Sequence, residues 1–156
     1  MMTQNGKAMN KTGRCMCGAV AFTATDVPAQ FGICHCEMCR RWTGSALLGV
    51  SVPSDKVTWQ GREHIATFQS SDWAERAWCS KCGTGLYYRV TEKNDWFGTT
   101  EIPLGLFDEP DGFTLDHEIY IDMKPDCFAF VGEGHKQLTR QDCIAEFSRL
   151  GDGGAV

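Results

Sequence analysis

The stretch Cys15-Met16-Cys17-Gly18-Ala19-Val20-Ala21-Phe22-Thr23-Ala24-Thr25 carries two signals at once. Its first half is a C-x-C-G cluster. Its second half, 19–25, alternates, with Val20, Phe22 and Ala24 on one face, and alternation of this period marks a half-buried strand. The same short, β-branched or aromatic pattern recurs at 46–52, 56–59, 65–68, 76–79, 86–90 and 118–122, each bounded by Gly, Pro, Ser or Asp. Several short strands at such spacing predict a mainly β, antiparallel architecture rather than βαβ units.

Helical signal is sparse. Thr139-Arg140-Gln141-Asp142 reads as a capping box, and Cys143, Phe147 and Leu150 follow at i, i+4 and i+7, so a short C-terminal amphipathic helix is expected, ended by Gly151. A second helical turn is expected over 37–42, with Gly44 as its stop.

The chain has 156 residues and shows no repeat, low-complexity tract or composition break. One domain is expected over 12–150, with a loose lead at 1–11 and a tail at 151–156. The net charge of −5, with Arg40-Arg41 as the one adjacent basic pair, disfavours nucleic acid as a partner. No apolar run approaches the ~20 residues of a membrane span. The polar N-terminal stretch lacks a signal-peptide core, and the chain reads as cytoplasmic.

Nine cysteines are many for such a chain. Where thiols stay reduced, clustered cysteines point to metal binding or catalysis before disulfides. Three clusters stand out: Cys15-Met16-Cys17, Cys34-His35-Cys36-Glu37-Met38-Cys39, and Cys79-Ser80-Lys81-Cys82-Gly83. In C-x-x-C a tight turn brings two thiolates to one ion, and the following Gly can take the positive φ the turn requires. In C-x-C on an extended segment both side chains fall on one face. Cys15, Cys17, Cys79 and Cys82 can therefore share a closed, four-thiolate zinc site.

Cys34, Cys36 and Cys39 come from one segment, and three protein ligands with an open position describe a reactive zinc site. Three thiolates leave the ion at a net charge of about −1, which suits a soft fourth ligand such as a substrate thiolate. Other readings stay open here. His64, His117, His135 or Cys127 could close the site, whereas His35 should point away from its neighbours. Cys36 and Cys39 could instead pair with Cys79 and Cys82 as a wide zinc ribbon. Cys127 and Cys143, each beside apolar residues, are expected in the core. Arg40 and Arg41 either bind substrate carboxylates or are ordinary solvated arginines. Trp42, Trp73, Trp78 and Trp96 could line a pocket or fill the core.

Gly13-Arg14-Cys15-Met16-Cys17-Gly18, the run Cys34 to Gly44, Trp78-Cys79-Ser80-Lys81-Cys82-Gly83-Thr84 and His117 to Asp126 together resemble the glutathione-dependent formaldehyde-activating enzyme family. The resemblance covers about residues 12 to 130. It implies a β-tent of several small antiparallel sheets around zinc. It also implies a structural zinc on Cys15, Cys17, Cys79 and Cys82, and a second, catalytic zinc on Cys34, Cys36 and Cys39 that can be partly filled. The implied reaction joins glutathione and formaldehyde as S-(hydroxymethyl)glutathione, a carbon–sulfur lyase chemistry. The alternative is a carrier of glutathione adducts, or an interaction module, with two structural zincs. Cys127 stands where members of the family often carry an aromatic residue.

Overall fold

The structure is a computed structural model that describes residues 8–147. The expected helix end at Leu150 and Gly151, the tail and most of the lead lie outside these residues. In chain order the elements are β1 (Met9–Arg14), β2 (Ala21–Val27), β3 (Gln30–Cys34), α1 (Glu37–Thr43), β4 (Leu47–Pro53), β5 (Val57–Gln60), β6 (Ile65–Gln69), β7 (Ala74–Cys79), β8 (Gly85–Val90), β9 (Thr99–Pro103), β10 (Thr114–Ile119), β11 (Lys136–Leu138) and α2 (Arg140–Glu146). β1 begins inside the stretch read as a lead. Among the described residues no helix is long and apolar enough to cross a membrane.

The strands form two sheets. One has three strands in the order β1-β2-β5, and the other has eight in the order β11-β10-β3-β4-β9-β8-β7-β6. Pairing is antiparallel except at one edge, where β10 runs parallel to both β3 and β11. Parallel neighbours need a long crossover, and here the chain between β3 and β10 builds most of the domain before returning.

Alternation explains the packing. In β2, Phe22 and Ala24 are buried while Thr23 and Thr25 are exposed. Asp26, at φ 53°, is the extra residue of a bulge against β1, and it turns Val27 back into the core. These residues meet Val50, Val52 and Ile102 from the large sheet, with Phe107, in one apolar cluster. A second cluster joins Cys15 and Val20 to Ala77, Cys79, Leu86 and Tyr87. The opposite face of the large sheet presents Cys34 of β3, Leu47, Gly49 and Ser51 of β4, and Glu101 of β9 to a cavity of about 810 Å³. The sheet is thus a wall with the core on one side and a hollow on the other.

Both helices are capped as their sequences require. Thr139 and Asp142 exchange side-chain-to-backbone bonds of 3.1 and 2.9 Å, completing the capping box of α2. Gly44 ends α1 at φ 75°, its amide donating to the Arg40 carbonyl. Cys143 is buried, as expected of the apolar stripe of α2. Cys127 is exposed, which corrects its expected place in the core. The segment that carries it is irregular. Phe128 and Phe130 turn inward onto the ring of His35, with centroids 6.2 and 6.0 Å away, and Cys127 is left facing solvent.

Candidate metal centres and the cavity beside them

Cys15, Cys17, Cys79 and Cys82 converge, with all four Sγ atoms within 4.8 Å of one another. The Cys15–Cys17 and Cys17–Cys79 separations are 3.6 and 3.8 Å. A tetrahedral ion about 2.3 Å from each thiolate needs sulfur–sulfur edges of roughly 3.8 Å, so the donor set fits a four-thiolate zinc site. Two similar loops build it. Gly18 and Gly83 sit at φ 80° and 81°, and their amides donate to the carbonyls of Cys15 and Cys79. Amides of Val20 and Ala19 point at the sulfurs of Cys15 and Cys17, at 3.3 and 3.5 Å. The Thr84 hydroxyl lies 3.1 Å from the Cys82 sulfur and accepts from the Met16 amide, which stitches the two loops together. The Thr84 contacts hold the Cys82 thiol down at about 5.

Cys34, Cys36 and Cys39 form the second group, with sulfurs within the same reach of one another. Cys34 ends β3, Cys36 is the N-cap of α1, and Cys39 lies in its first turn with its amide donating to the Cys36 sulfur at 3.4 Å. Negative charge collects on Cys36. Its thiol is drawn down to about 3, first by hydrogen bonding with Cys34, then by Cys39 and the Arg76 charge. The Cys34 thiol is pushed up by the same pairing. Among the described residues this group stops at three. His64 sits 3.5 Å from Glu63, and His135 Nε2 is 2.8 Å from Glu118. Cys36 and Cys39 stand in a different group from Cys79 and Cys82, unlike in a zinc ribbon.

His35 points away from both neighbouring sulfurs. It is buried, with Nε2 2.8 Å from Glu118 Oε1. Burial pushes the Glu118 carboxyl up, but hydrogen bonds from His35, Gln137 and His135 outweigh it and leave the group below the usual carboxylate range.

One participant has no signal in the sequence. Arg76, on β7, is buried, donates from Nη1 to Cys39 Sγ at 3.6 Å and from Nε to Ser70 Oγ at 3.2 Å. Its guanidinium lies 5.0 Å from the Trp42 ring and 4.9 Å from the Tyr88 ring. A buried cation needs a counter-charge, and here the thiol cluster supplies it. Arg40 and Arg41 stand elsewhere. Both are exposed on α1, Arg41 pairs with Glu37 at 2.9 Å, and neither lines the cavity. Of the four tryptophans that the sequence offers for a pocket, Trp73 and Trp96 line the cavity of Cys34, Cys36 and Cys39, while Trp42 and Trp78 line a smaller hollow of about 540 Å³ beyond Arg76.

The large cavity is within the ~300–1,000 Å³ range of small-molecule sites. Cys34, Cys36 and Cys39 lie in its wall. Trp96 and Phe147, edge to face at 5.0 Å, bridge from the loop after β8 to the end of α2 and form part of its rim.

Comparison with known proteins agrees with this arrangement. The profile of the family described as glutathione-dependent formaldehyde-activating enzyme matches residues 10–123. An uncharacterized lyase of Schizosaccharomyces pombe is 35% identical over 122 residues, covering 78% of this chain and 85% of the relative. A crystal structure of a Rhodobacter sphaeroides protein superposes with a TM-score of 0.52 at 16% identity, over 82% of this chain and 99% of that one, which is a likeness of fold.

Proposed function

This chain belongs to the glutathione-dependent formaldehyde-activating enzyme family, and from that premise we propose that it catalyses the reversible addition of a thiol to a small aldehyde. The pair favoured is glutathione and formaldehyde, giving S-(hydroxymethyl)glutathione, a carbon–sulfur lyase reaction in reverse. The observation that carries this reading is the three-sulfur group of Cys34, Cys36 and Cys39, without a fourth protein donor among the described residues and set in the wall of a cavity of about 810 Å³.

In this reading Cys15, Cys17, Cys79 and Cys82 hold a structural zinc, and Cys34, Cys36 and Cys39 hold the second. A zinc ion at the second position supplies Lewis acidity and a seat for a soft thiolate. The chain itself does the rest. The cavity holds both reactants together, which turns a bimolecular encounter into a local one. Arg76 balances the charge of the sulfur group. Trp96 and Phe147 supply apolar surface to the cavity beside the sulfur group.

The test is exchange NMR of glutathione, formaldehyde and their adduct in the presence of zinc-loaded protein. Exchange faster than the uncatalysed rate is expected. No acceleration with formaldehyde, or with other small aldehydes, would favour the carrier reading instead, and calorimetry with glutathione would then show binding without turnover.

A further inference from the structure

The wall of the cavity carries a feature that the sulfur group does not use. Gly32 of β3 and Gly49 of β4 are cross-strand partners, and His117 of β10 pairs with Gly32 from the other side. Residues directly opposite in a sheet share a face, so the two glycines leave a notch on the cavity side, which side chains of neighbouring strands enter. Two side chains lean over it. A Cβ on Gly32 would lie 2.2 Å from His117 Nε2, and one on Gly49 would lie 3.1 Å from Glu101 Oε2. Any side chain at Gly32 would therefore evict the imidazole.

Each of the two groups is held at its far end by a neighbouring side chain. His117 Nδ1 is 2.8 Å from the Asp116 carboxylate. The carboxylate can only accept, so Nδ1 carries a proton, and Nε2 is the ring nitrogen turned toward the notch. Asp116 reaches its neighbour's ring because the β3–β10 register shifts between Leu115 and His117, a bulge that brings adjacent side chains to one side. Across the notch, Ser51 donates to Glu101 Oε1 at 2.5 Å, which leaves Oε2 facing Gly49. Burial pushes the Glu101 carboxyl above the usual carboxylate range, against the opposing pull of Ser51 and of His117. Asp116, His117, Glu101 and both glycines line the same cavity as Cys34, Cys36 and Cys39.

We infer that Glu101 and His117 are the acid and base of the reaction, working from opposite sides of the Gly32–Gly49 notch on the thiol and the aldehyde in the cavity. This rests on the thiol–aldehyde addition proposed above. His117 Nε2 takes the proton of the incoming thiol. The sulfur electron pair forms the new C–S bond as the carbonyl π bond breaks onto oxygen, and that oxygen takes its proton from the Glu101 carboxyl. The sum is thiol plus aldehyde to hemithioacetal, with no oxidant or reductant. His117 ends with one proton more and Glu101 with one less, and transfer across the notch resets the pair. The reverse sequence breaks the adduct.

The test uses zinc-loaded full chain with glutathione and formaldehyde as probes, reading adduct formation and breakdown by exchange NMR and metal content by mass spectrometry. Glu101→Gln keeps the shape and removes the transferable proton. It should lower kcat by about 10²-fold or more, the typical scale of a positioned acid or base, with KM within about twofold and zinc content unchanged. Glu101→Asp should recover part of the loss. Gly32→Ala, which displaces the His117 ring, should lower kcat in the same way. If that variant does not fold, His117→Asn replaces it. Glu101→Gln combined with His117→Asn should be little worse than either alone, because paired groups act as a unit. Wild-type acceleration with Glu101→Gln turning over at the wild-type rate overturns this assignment alone. A wild-type protein that accelerates no thiol–aldehyde addition overturns the proposed function, and the acid–base assignment with it.

Discussion

Arg76 Nη1 lies 3.6 Å from the sulfur of Cys39, inside the protein, with the guanidinium stacked between Trp42 and Tyr88. A fixed positive charge therefore stands behind the sulfur group. Partners of this kind behind a metal ligand are worth about 10–100-fold in metal affinity. Arg76→Met, similar in length and without charge, should weaken zinc binding at Cys34, Cys36 and Cys39 by that order and leave the other zinc in place. Competition against a chromophoric chelator measures it. Arg76→Lys should recover only part, because an ammonium lacks the planar stacking surface. Equal zinc affinity in wild type and Arg76→Met would show that the arginine serves packing alone.

The two cysteine groups should respond differently to substitution. Cys15 and Cys79 belong to an apolar core cluster, and their loops join the start of β2 to the β7–β8 turn. Metal free energy at such a site is folding free energy. Cys79→Ser should lose cooperative unfolding by circular dichroism. Cys36→Ser should stay folded and fall from two zincs to one. The opposite pattern would reverse the assignment of structural and reactive sites.

Glu118 is buried and takes Nε2 contacts from His35 and His135, each at 2.8 Å, with Gln137 at 3.1 Å. Glu118→Leu removes the acceptor and strands two buried ring N–H groups. A buried donor left unsatisfied costs about 1–3 kcal/mol, so the midpoint of chemical denaturation should fall by the equivalent of a few kcal/mol. His35 precedes Cys36, so the same variant should loosen the second metal site, visible as faster zinc loss to chelator. An unchanged midpoint would mean that the two histidines find other partners.

The capping box of α2 predicts a local acid sensitivity. The Thr139 amide and hydroxyl hold the Asp142 carboxyl below its ordinary value. The folded value is therefore lower than the unfolded one, and the contribution is complete above the ordinary carboxylate range. It is lost as pH falls through the depressed folded value. Amide exchange in α2 should rise below about pH 4, near the reference Asp value, ahead of exchange in the large sheet. Asp142→Asn should flatten that local pH dependence. Because Phe147 at the end of α2 meets Trp96 on the cavity rim, fraying should also open the cavity to small quenchers of tryptophan fluorescence.

Much of the site was legible along the chain because it is built from local turns. C-x-C-G, C-x-C-x-x-C and C-x-x-C-G prescribe their sulfur geometry over a few residues, and the structure gathers them as two groups of four and three. The caps of α1 and α2 and the strands from 19–25 to 86–90 were legible for the same reason, with edges shifted by one or two residues. β1, β3, β9 and β11 were not. Met9–Arg14 is mostly polar, Gln30–Cys34 is interrupted by Gly32, and Lys136–Leu138 is three residues long. Their strand state comes from the neighbours they pair with.

Spacing and residue type alone therefore determined a mainly β domain with two cysteine groups suited to zinc, since those features depend on contacts within one turn or one strand. Tertiary structure decided which distant residues face the reactive group. Arg76 reaches Cys39 across 37 positions, and His117 and Glu101 come to one cavity wall, over Gly32 and Gly49 respectively, because β10 lies beside β3 and β9 beside β4. Sheet order is a long-range choice, made by burying one face of the whole sheet, and no period in the sequence encodes it.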